Sequence, residues 1–272
     1  MTELATLENP APHPDFCEVH SDFYLLECEL WDASTAGDHV TVSRLLLEKV
    51  INVNYQDPEL GRSVFYRACG HGHTKVVELF LKDPRIDLNR RQDEGASPFC
   101  IACSQGHMDV VRLLLQHPEV NPNIPVFTGA SPFFYACQDG KTEIVKLLID
   151  FPGIDLTKTN EKGASPFLIA CEEGRDDIVN MLLQRRVDVN GPNNNGATPI
   201  WMAAQNGHLG VVKALLACGI DLEVNRKWTN DKTANEQART MGHLNVALLI
   251  EDFIVNPVAV RKRLRLELGI TG

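Results

Sequence analysis

The chain contains no run of about 18 apolar residues, the length a helix needs to cross a bilayer. Its first 21 residues contain no lysine or arginine and no apolar stretch. With Glu3, Glu8, Asp15 and Glu18 instead, that segment is unlike a secretory signal. Positive charge is also scarce: 26 Lys and Arg stand against 36 Asp and Glu, for a net charge of -10. That balance argues against a nucleic-acid phosphate backbone as the main partner, because such binding needs Lys and Arg to displace counterions. It favours solubility and a basic or neutral partner surface. No phosphate-cradling glycine loop, no Gly-x-Ser-x-Gly elbow and no His-Glu-x-x-His occurs. The chain is expected in the cytosol or the nucleus, where its eight cysteines would stay free thiols.

What is present suffices for a core, with 44% hydrophobic and 23% charged residues. Its arrangement is periodic. Gly61, Gly95, Gly129, Gly163 and Gly196 are spaced by 34, 34, 34 and 33 residues. Two residues after each comes a hydroxyl: Ser63, Ser97, Ser131, Ser165 and Thr198. Proline follows in four cases, Pro98, Pro132, Pro166 and Pro199, with Val64 in the first. A second glycine lies 11 residues after the first: Gly72, Gly106, Gly140, Gly174 and Gly207. Then comes an apolar stretch such as Val110, Val111, Leu113, Leu114 and Leu115.

Each part has a mechanical role. The hydroxyl residue caps a helix by accepting from an orphan amide of its first turn. Proline at the first helical position forfeits no needed hydrogen bond. Phe99, Ile101, Ala102 and Cys103 then read as a short, tightly packed helix, which Gly106 terminates. The Val and Leu residues form the buried stripe of a second helix. A segment such as Arg85-Ile86-Asp87-Leu88-Asn89 closes the unit as a β-turn or hairpin. Neither helix is long enough to be stable alone, so stacking must hold the array together.

The pattern resembles the ankyrin repeat, whose Thr-Pro-Leu-His-x-Ala-Ala-x-x-Gly-His motif is approached by Ser97-Pro98-Phe99-Cys100-Ile101-Ala102-Cys103-Ser104-Gln105-Gly106-His107. Thr198-Pro199-Ile200-Trp201-Met202-Ala203-Ala204-Gln205-Asn206-Gly207-His208 is the most orthodox copy. Phe replaces the motif's Leu in four copies and Cys its second Ala in four. The resemblance implies an all-α ankyrin-repeat solenoid of stacked helix-turn-helix repeats with β-turn or hairpin loops. The expected organisation is a flexible tail at 1–21 and a repeat domain at 22–256. Its repeats are 22–57 (an N-terminal cap), 58–91, 92–125, 126–159, 160–192, 193–227 and 228–256 (the C-terminal repeat). Asp231 stands where the last repeat should have its glycine. Residues 257–272 read as a capping helix, with Asn256 as N-cap and Val260, Leu264 and Leu268 in one stripe over the end of the stack.

Apparent chemical sites dissolve into the same period. Cys69, Cys103, Cys137 and Cys171 each follow the small Ala of the inner helix, where a free thiol packs as a small hydrophobe. Cys100 and Cys103 form a lone Cys-x-x-Cys, and the counterparts of Cys100 are Tyr66, Phe134, Leu168 and Trp201. His73, His107, His208 and His243 occupy the Gly-His position, where Lys141 and Arg175 replace histidine in two copies, which a metal ladder would not tolerate. No metal, cofactor or catalytic residue is expected. The basic cluster Arg261-Lys262-Arg263-Leu264-Arg265 reads as the wet face of the last helix, with a nuclear-import or anionic-surface patch as the alternative. Glu172, Glu173, Asp176 and Asp177 read as solubilising charge on a turn.

Ankyrin-like proteins usually bind a protein on the concave surface of loop tips and inner helices. Carried over by position, that surface comprises Arg91, Asp93, Glu94, Ser104 and Gln105, then Phe127, Thr128, Gln138 and Asp139. Glu161, Lys162, Glu172, Glu173, Asn194, Asn195, Gln205 and Asn206 complete it. Phe127 stands where other copies have Asp93, Glu161 and Asn194, with no evident framework role, which makes it a hot-spot candidate. Trp228 is a second candidate, with packing under the terminal repeat as its alternative. The expected function is a non-catalytic, monomeric scaffold or adaptor that binds another protein and neither nucleic acid nor membrane. A regulatory subunit, either substrate receptor or inhibitor, using the same surface is the alternative.

Overall fold

A computed structural model describes residues 22–185, 187–228 and 231–270; the expected tail at 1–21 lies outside the described residues. The chain divides into two compact units, residues 1–132 and 133–272.

Unit one holds three helical hairpins: α1 (Asp22–Ala36) with α2 (His39–Leu45), α3 (Val64–Gly70) with α4 (Thr74–Phe80), and α5 (Pro98–Gln105) with α6 (Met108–Gln116). The first helices of the hairpins pack in series, α1 on α3 and α3 on α5, as do the second helices, α2 on α4 and α4 on α6. The caps form as the hydroxyl pattern predicts. Ser63 Oγ accepts from the Tyr66 amide and Ser97 Oγ from the Cys100 amide, each at 3.1 Å. Each such cap is worth about 1 kcal/mol against alanine. The inner helices are buried almost all round: Val64, Phe65, Ala68 and Cys69 on α3, and Phe99, Cys100, Ile101, Ala102 and Cys103 on α5. The outer helices bury one stripe, Val76, Val77 and Phe80 on α4 and Val110, Val111 and Leu114 on α6.

Unit two continues the scheme. Its helices are α7 (Pro132–Gln138, whose first residue closes unit one), α8 (Thr142–Asp150), α9 (Pro166–Glu172), α10 (Asp176–Leu183), α11 (Pro199–Gln205) and α12 (Leu209–Ala217). Then come α13 (Ala234–Thr240), α14 (Leu244–Val255) and α15 (Pro257–Glu267). Helices α9, α11 and α13 pack in one row, and α8, α10, α12 and α14 in a second. At the position of the missing glycine of the last repeat, Asp231 itself takes the left-handed conformation, at φ 59°, which short polar side chains tolerate best. Helix α15 packs on α12 and α14, with Asn256 as its cap and Val260 and Leu264 buried. The expected third member of that stripe, Leu268, is 38% exposed, because the helix ends before it and its backbone is only the C-cap.

Two ladders tie neighbouring repeats together. The histidine of each Gly-His pair lies against a glycine of the preceding repeat, and a β-carbon on Gly72 or Gly174 would meet the ring of His107 or His208 at 2.4 or 2.5 Å. The ring then donates from Nε2 to a carbonyl of that repeat: His73 to Thr35 at 2.7 Å, His107 to Gly70 at 2.8 Å and His208 to Glu172 at 2.9 Å. A carbonyl only accepts, so Nε2 carries the proton in each. Arg175 makes the same bond with its Nε, to the Gln138 carbonyl at 3.0 Å, which explains the exchange of Arg for His in that copy. The second ladder uses asparagine. Asn89 donates to the Glu119 carbonyl at 2.7 Å and accepts from the Asn121 amide at 2.8 Å. Asn54 and Asn190 read the next repeat in the same two-sided way. The repeat spacing gave no sign of this asparagine ladder.

Candidate functional site

In unit one the turn that opens each repeat is closed by a backbone bond, Gln92 N–H to Ala96 O at 3.0 Å and Val126 N–H to Ala130 O at 2.9 Å. Successive turns are then joined edge to edge. Asp93 N–H donates to Leu60 O at 3.0 Å and Phe127 N–H to Glu94 O at 3.1 Å. Gly95 permits the second approach: a β-carbon there would lie 2.7 Å from the Phe127 nitrogen, and its φ is +90°. The ring of Phe127 remains 62% exposed. The Arg91 guanidinium sits 4.6 Å from the ring centroid and donates from Nη1 to the Pro125 carbonyl at 3.2 Å. Arg90, on the same turn, donates to Gln56 Oε1 at 2.6 Å. Phe127 and Arg91 thus form a fixed aromatic-cation pair at the tip, rimmed by Gln56, Asp93 and Asn89 around an open depression.

Of the other positions expected on this surface in unit one, Glu94 is exposed, and Gln105 and Thr128 are half-buried. Ser104 is a correction: it is 5% exposed, enclosed on the inner helix like its neighbours.

In unit two Asn194 N–H donates to Lys162 O at 2.9 Å, repeating the edge-to-edge join. The side-chain amide of Asn194 donates to the Glu161 carbonyl at 2.8 Å, and that of Asn206 to the Glu172 carbonyl at 2.8 Å. Both are exposed residues whose amides are committed to the framework. Glu161, Lys162 and Asn195 are exposed, and Gln138, Asp139, Glu173 and Gln205 half-buried. Glu172 is half-buried; burial and the adjacent Glu173 push its carboxyl up, while Lys162 opposes them. Trp228 is half-buried with its ring 4.3 Å from that of Trp201, which is 1% exposed. It packs on the framework, the alternative open to it in the sequence, and does not stand out as a second Phe127.

The four recurring thiols are held in their protonated form. Burial pushes the pKa of Cys69, Cys103, Cys137 and Cys171 far up. Among the described residues no group of three His, Cys, Asp or Glu side chains converges as a metal site, and no helix is long and apolar enough to cross a membrane. The basic cluster of α15 is largely engaged: Arg263 pairs with Asp252 at 2.9 Å, and Arg261 lies 5.6 Å from the Phe253 ring.

One group of residues escaped the sequence reading. Arg67 is fully buried at a position filled elsewhere by Ile101, Tyr135, Ile169 and Met202, and Arg62 beside it is 4% exposed. A charge at a position that is otherwise apolar or aromatic was the available signal.

Comparison with known proteins agrees with this architecture. A family model described as ankyrin repeats (3 copies) matches residues 30–126 and 118–193, and a single ankyrin-repeat model matches residues 195–227. No curated protein matches. Among solved structures, the human ASB11 ankyrin repeat domain, known from a crystal structure, superposes with a TM-score of 0.71 at 23% identity. That match covers 81% of this chain and 96% of the other. At that identity the likeness shows a shared fold. The recurring cap, glycine and histidine geometry, together with family models spanning most of the residues from 30 to 227, places this chain in the ankyrin-repeat family.

Proposed function

We propose that the chain is a non-catalytic scaffold or adaptor that holds another protein on its turn tips and inner-helix ends. Ankyrin repeats are in general protein–protein interaction modules, and the finer reading rests chiefly on Phe127. An aromatic ring 62% exposed, fixed through its own amide and capped by Arg91, is already ordered in the free protein. Such a residue gives up little conformational entropy when a partner covers it, which is the character of an interface hot spot. The framework explains nearly every other large side chain of the inner helices and turns, but the ring of Phe127 has no framework role. The four recurring thiols, another chemistry-bearing group, are buried with their ionisation suppressed, which favours an interaction role over a nucleophilic one. We place the chain, as a monomer, in the cytosol or nucleus.

The test is affinity capture with the wild-type chain beside Phe127→Ala and Glu172→Lys. Proteins retained by wild type should be lost from Phe127→Ala, with affinity reduced about 30-fold or more, the scale of a hot-spot residue worth over about 2 kcal/mol. Circular dichroism should show both variants folded. If the combined variant retained every captured protein at wild-type strength, this placement of the interface would be wrong.

A further inference from the structure

The outward side of an element that closes a stack is expected to be polar, because it meets water. Helix α15, in unit two, departs from this. Its inner stripe serves the stack: Val260 and Leu264 are buried where the helix packs on α12 and α14. On its other side Val258 and Leu266 stand 77% and 76% exposed. They lie about two turns apart, on one face with Lys262 between them, because residues four apart follow one another along a helix. Beyond Leu266, Gly269 takes φ +67°, and the Ile270 amide turns back to the Arg265 carbonyl at 2.8 Å. That turn folds Ile270, 39% exposed, back beside the end of the helix. Val258, Lys262, Leu266 and Ile270 then line one open depression with Arg261 and Arg265.

The three helices packed together here, α12, α14 and α15, hold three carboxylates between them, and each is already paired. Glu251 pairs with Arg239 at 2.6 Å, Asp252 with Arg263 at 2.9 Å and Glu267 with Lys213 at 2.9 Å. Arg261 turns towards the framework, with its guanidinium 5.6 Å from the Phe253 ring centroid. Lys262 is exposed and pairs with none of the three carboxylates. The face therefore presents an open cation set between two open aliphatic side chains. Its complement is the converse order, an acid between two aliphatic groups.

We propose that the outer face of α15 docks an amphipathic helix of a partner protein, whose contact face carries an acidic residue flanked at four-residue spacing by aliphatic ones. The acid meets Lys262, and the aliphatic groups meet Val258 on one side and Leu266 with Ile270 on the other. A second copy of this chain does not supply that order, since an isologous contact through this face opposes Arg261, Lys262 and Arg265 to the same cations of the other copy. A bilayer matches it poorly as well. The cations of an interfacial helix belong to its polar face, whereas Lys262 stands within the apolar one. This surface is additional to the turn tip around Phe127 and holds whether or not that tip binds.

The test is fluorescence anisotropy of the full chain with a labelled, designed peptide of about 18 residues, long enough to hold a helix, with Leu, Glu and Leu at four-residue spacing on one face. A second peptide carries Lys in place of the Glu. The first should bind saturably, and the second at least tenfold more weakly. Lys262→Glu should reverse that order, and Leu266→Ser should weaken the first peptide at least tenfold. Circular dichroism should show both variants folded, since both side chains are exposed. Phe127→Ala should leave peptide binding unchanged, so failure at the turn tip and failure at α15 give different results. An unchanged order of the two peptides in Lys262→Glu, or no binding tighter than about 1 mM, would overturn the site. Stronger binding to vesicles of phosphatidylcholine and phosphatidylserine than to the peptide, lost in Leu266→Ser, would assign the face to a membrane. Dimers in sedimentation velocity, lost in the same variant, would assign it to a second copy; either result overturns the partner helix.

Discussion

Replacing Gly174 by alanine separates two costs that the structure keeps distinct. Gly174 has φ +68°, and a β-carbon on it would lie 2.5 Å from His208 Nδ1 and 2.7 Å from Cε1. Gly153, in the same unit, has φ +88° but nothing within 4 Å of its added β-carbon. Gly153→Ala should therefore carry only the left-handed backbone penalty, about 1 kcal/mol. Gly174→Ala carries that penalty as well as displacement of the His208 ring. The ring must leave the Glu172 carbonyl, for about 1 kcal/mol, and overfill its packed site for about another 1 kcal/mol. The carbonyl keeps its bond from Asn206 Nδ2, so no further cost arises from an orphaned acceptor. The expected totals are about 1 kcal/mol for Gly153→Ala and about 3 kcal/mol for Gly174→Ala. With a urea m-value of about 3 kcal/mol/M, the midpoints in far-UV circular dichroism should fall by roughly 0.3 M and roughly 1 M. Adding His208→Ala to Gly174→Ala removes the clash and loses the Glu172 bond once instead of twice, so the pair should be less destabilising than the sum of its parts by about 2 kcal/mol. Equal midpoints for the two glycine variants, or strict additivity of the pair, would refute the coupling of histidine to glycine across repeats.

Three further outcomes follow from the burial pattern. His71 should titrate near pH 4 by ring NMR; because its folded pKa lies below the unfolded value, the unfolded chain binds the extra proton between about pH 4 and 6.5. Stability should thus fall with acidification across that window, and His71→Gln should flatten the slope. Cys69, Cys103, Cys137 and Cys171 should resist iodoacetamide in the folded chain at pH 8 and react fully in urea, as read by mass spectrometry, while half-buried Cys28 and Cys218 react sooner. Trp201→Ala should cost about 3–5 kcal/mol by urea unfolding, since Trp201 is buried, packs at a tilt against Trp228 and donates from Nε1 to the Lys232 carbonyl at 3.2 Å; a loss below about 1 kcal/mol would contradict that packing.

The repeat architecture was legible because its causes are local and recur. A hydroxyl before proline caps a helix wherever it occurs, and a glycine 11 residues after the first ends that helix whatever surrounds it. The period of 34 also disposed of the Cys and His pairs, since a position that recurs with the repeat serves the repeat. The same period showed Asp231 standing where a glycine recurs, and the structure gives it the left-handed backbone.

Only the tertiary structure decided which side chains remain available, because availability depends on contacts between residues about one repeat apart. Ser104 and Phe127 looked equally eligible by position, yet stacking encloses one at 5% exposure and leaves the other at 62%. Trp228 could be assigned to the framework only when Trp201 was seen against it. The asparagine bonds from Asn54, Asn89 and Asn190 join backbone groups 30 to 33 residues away, so no local pattern announces them. Arg62 and Arg67 are visible as charges in the sequence, but only the fold shows that both are buried and that Asp57 is saturated by its own turn and Arg62. Local chemistry thus determined the repeat, and the burial created by stacking determined the surface through which it acts.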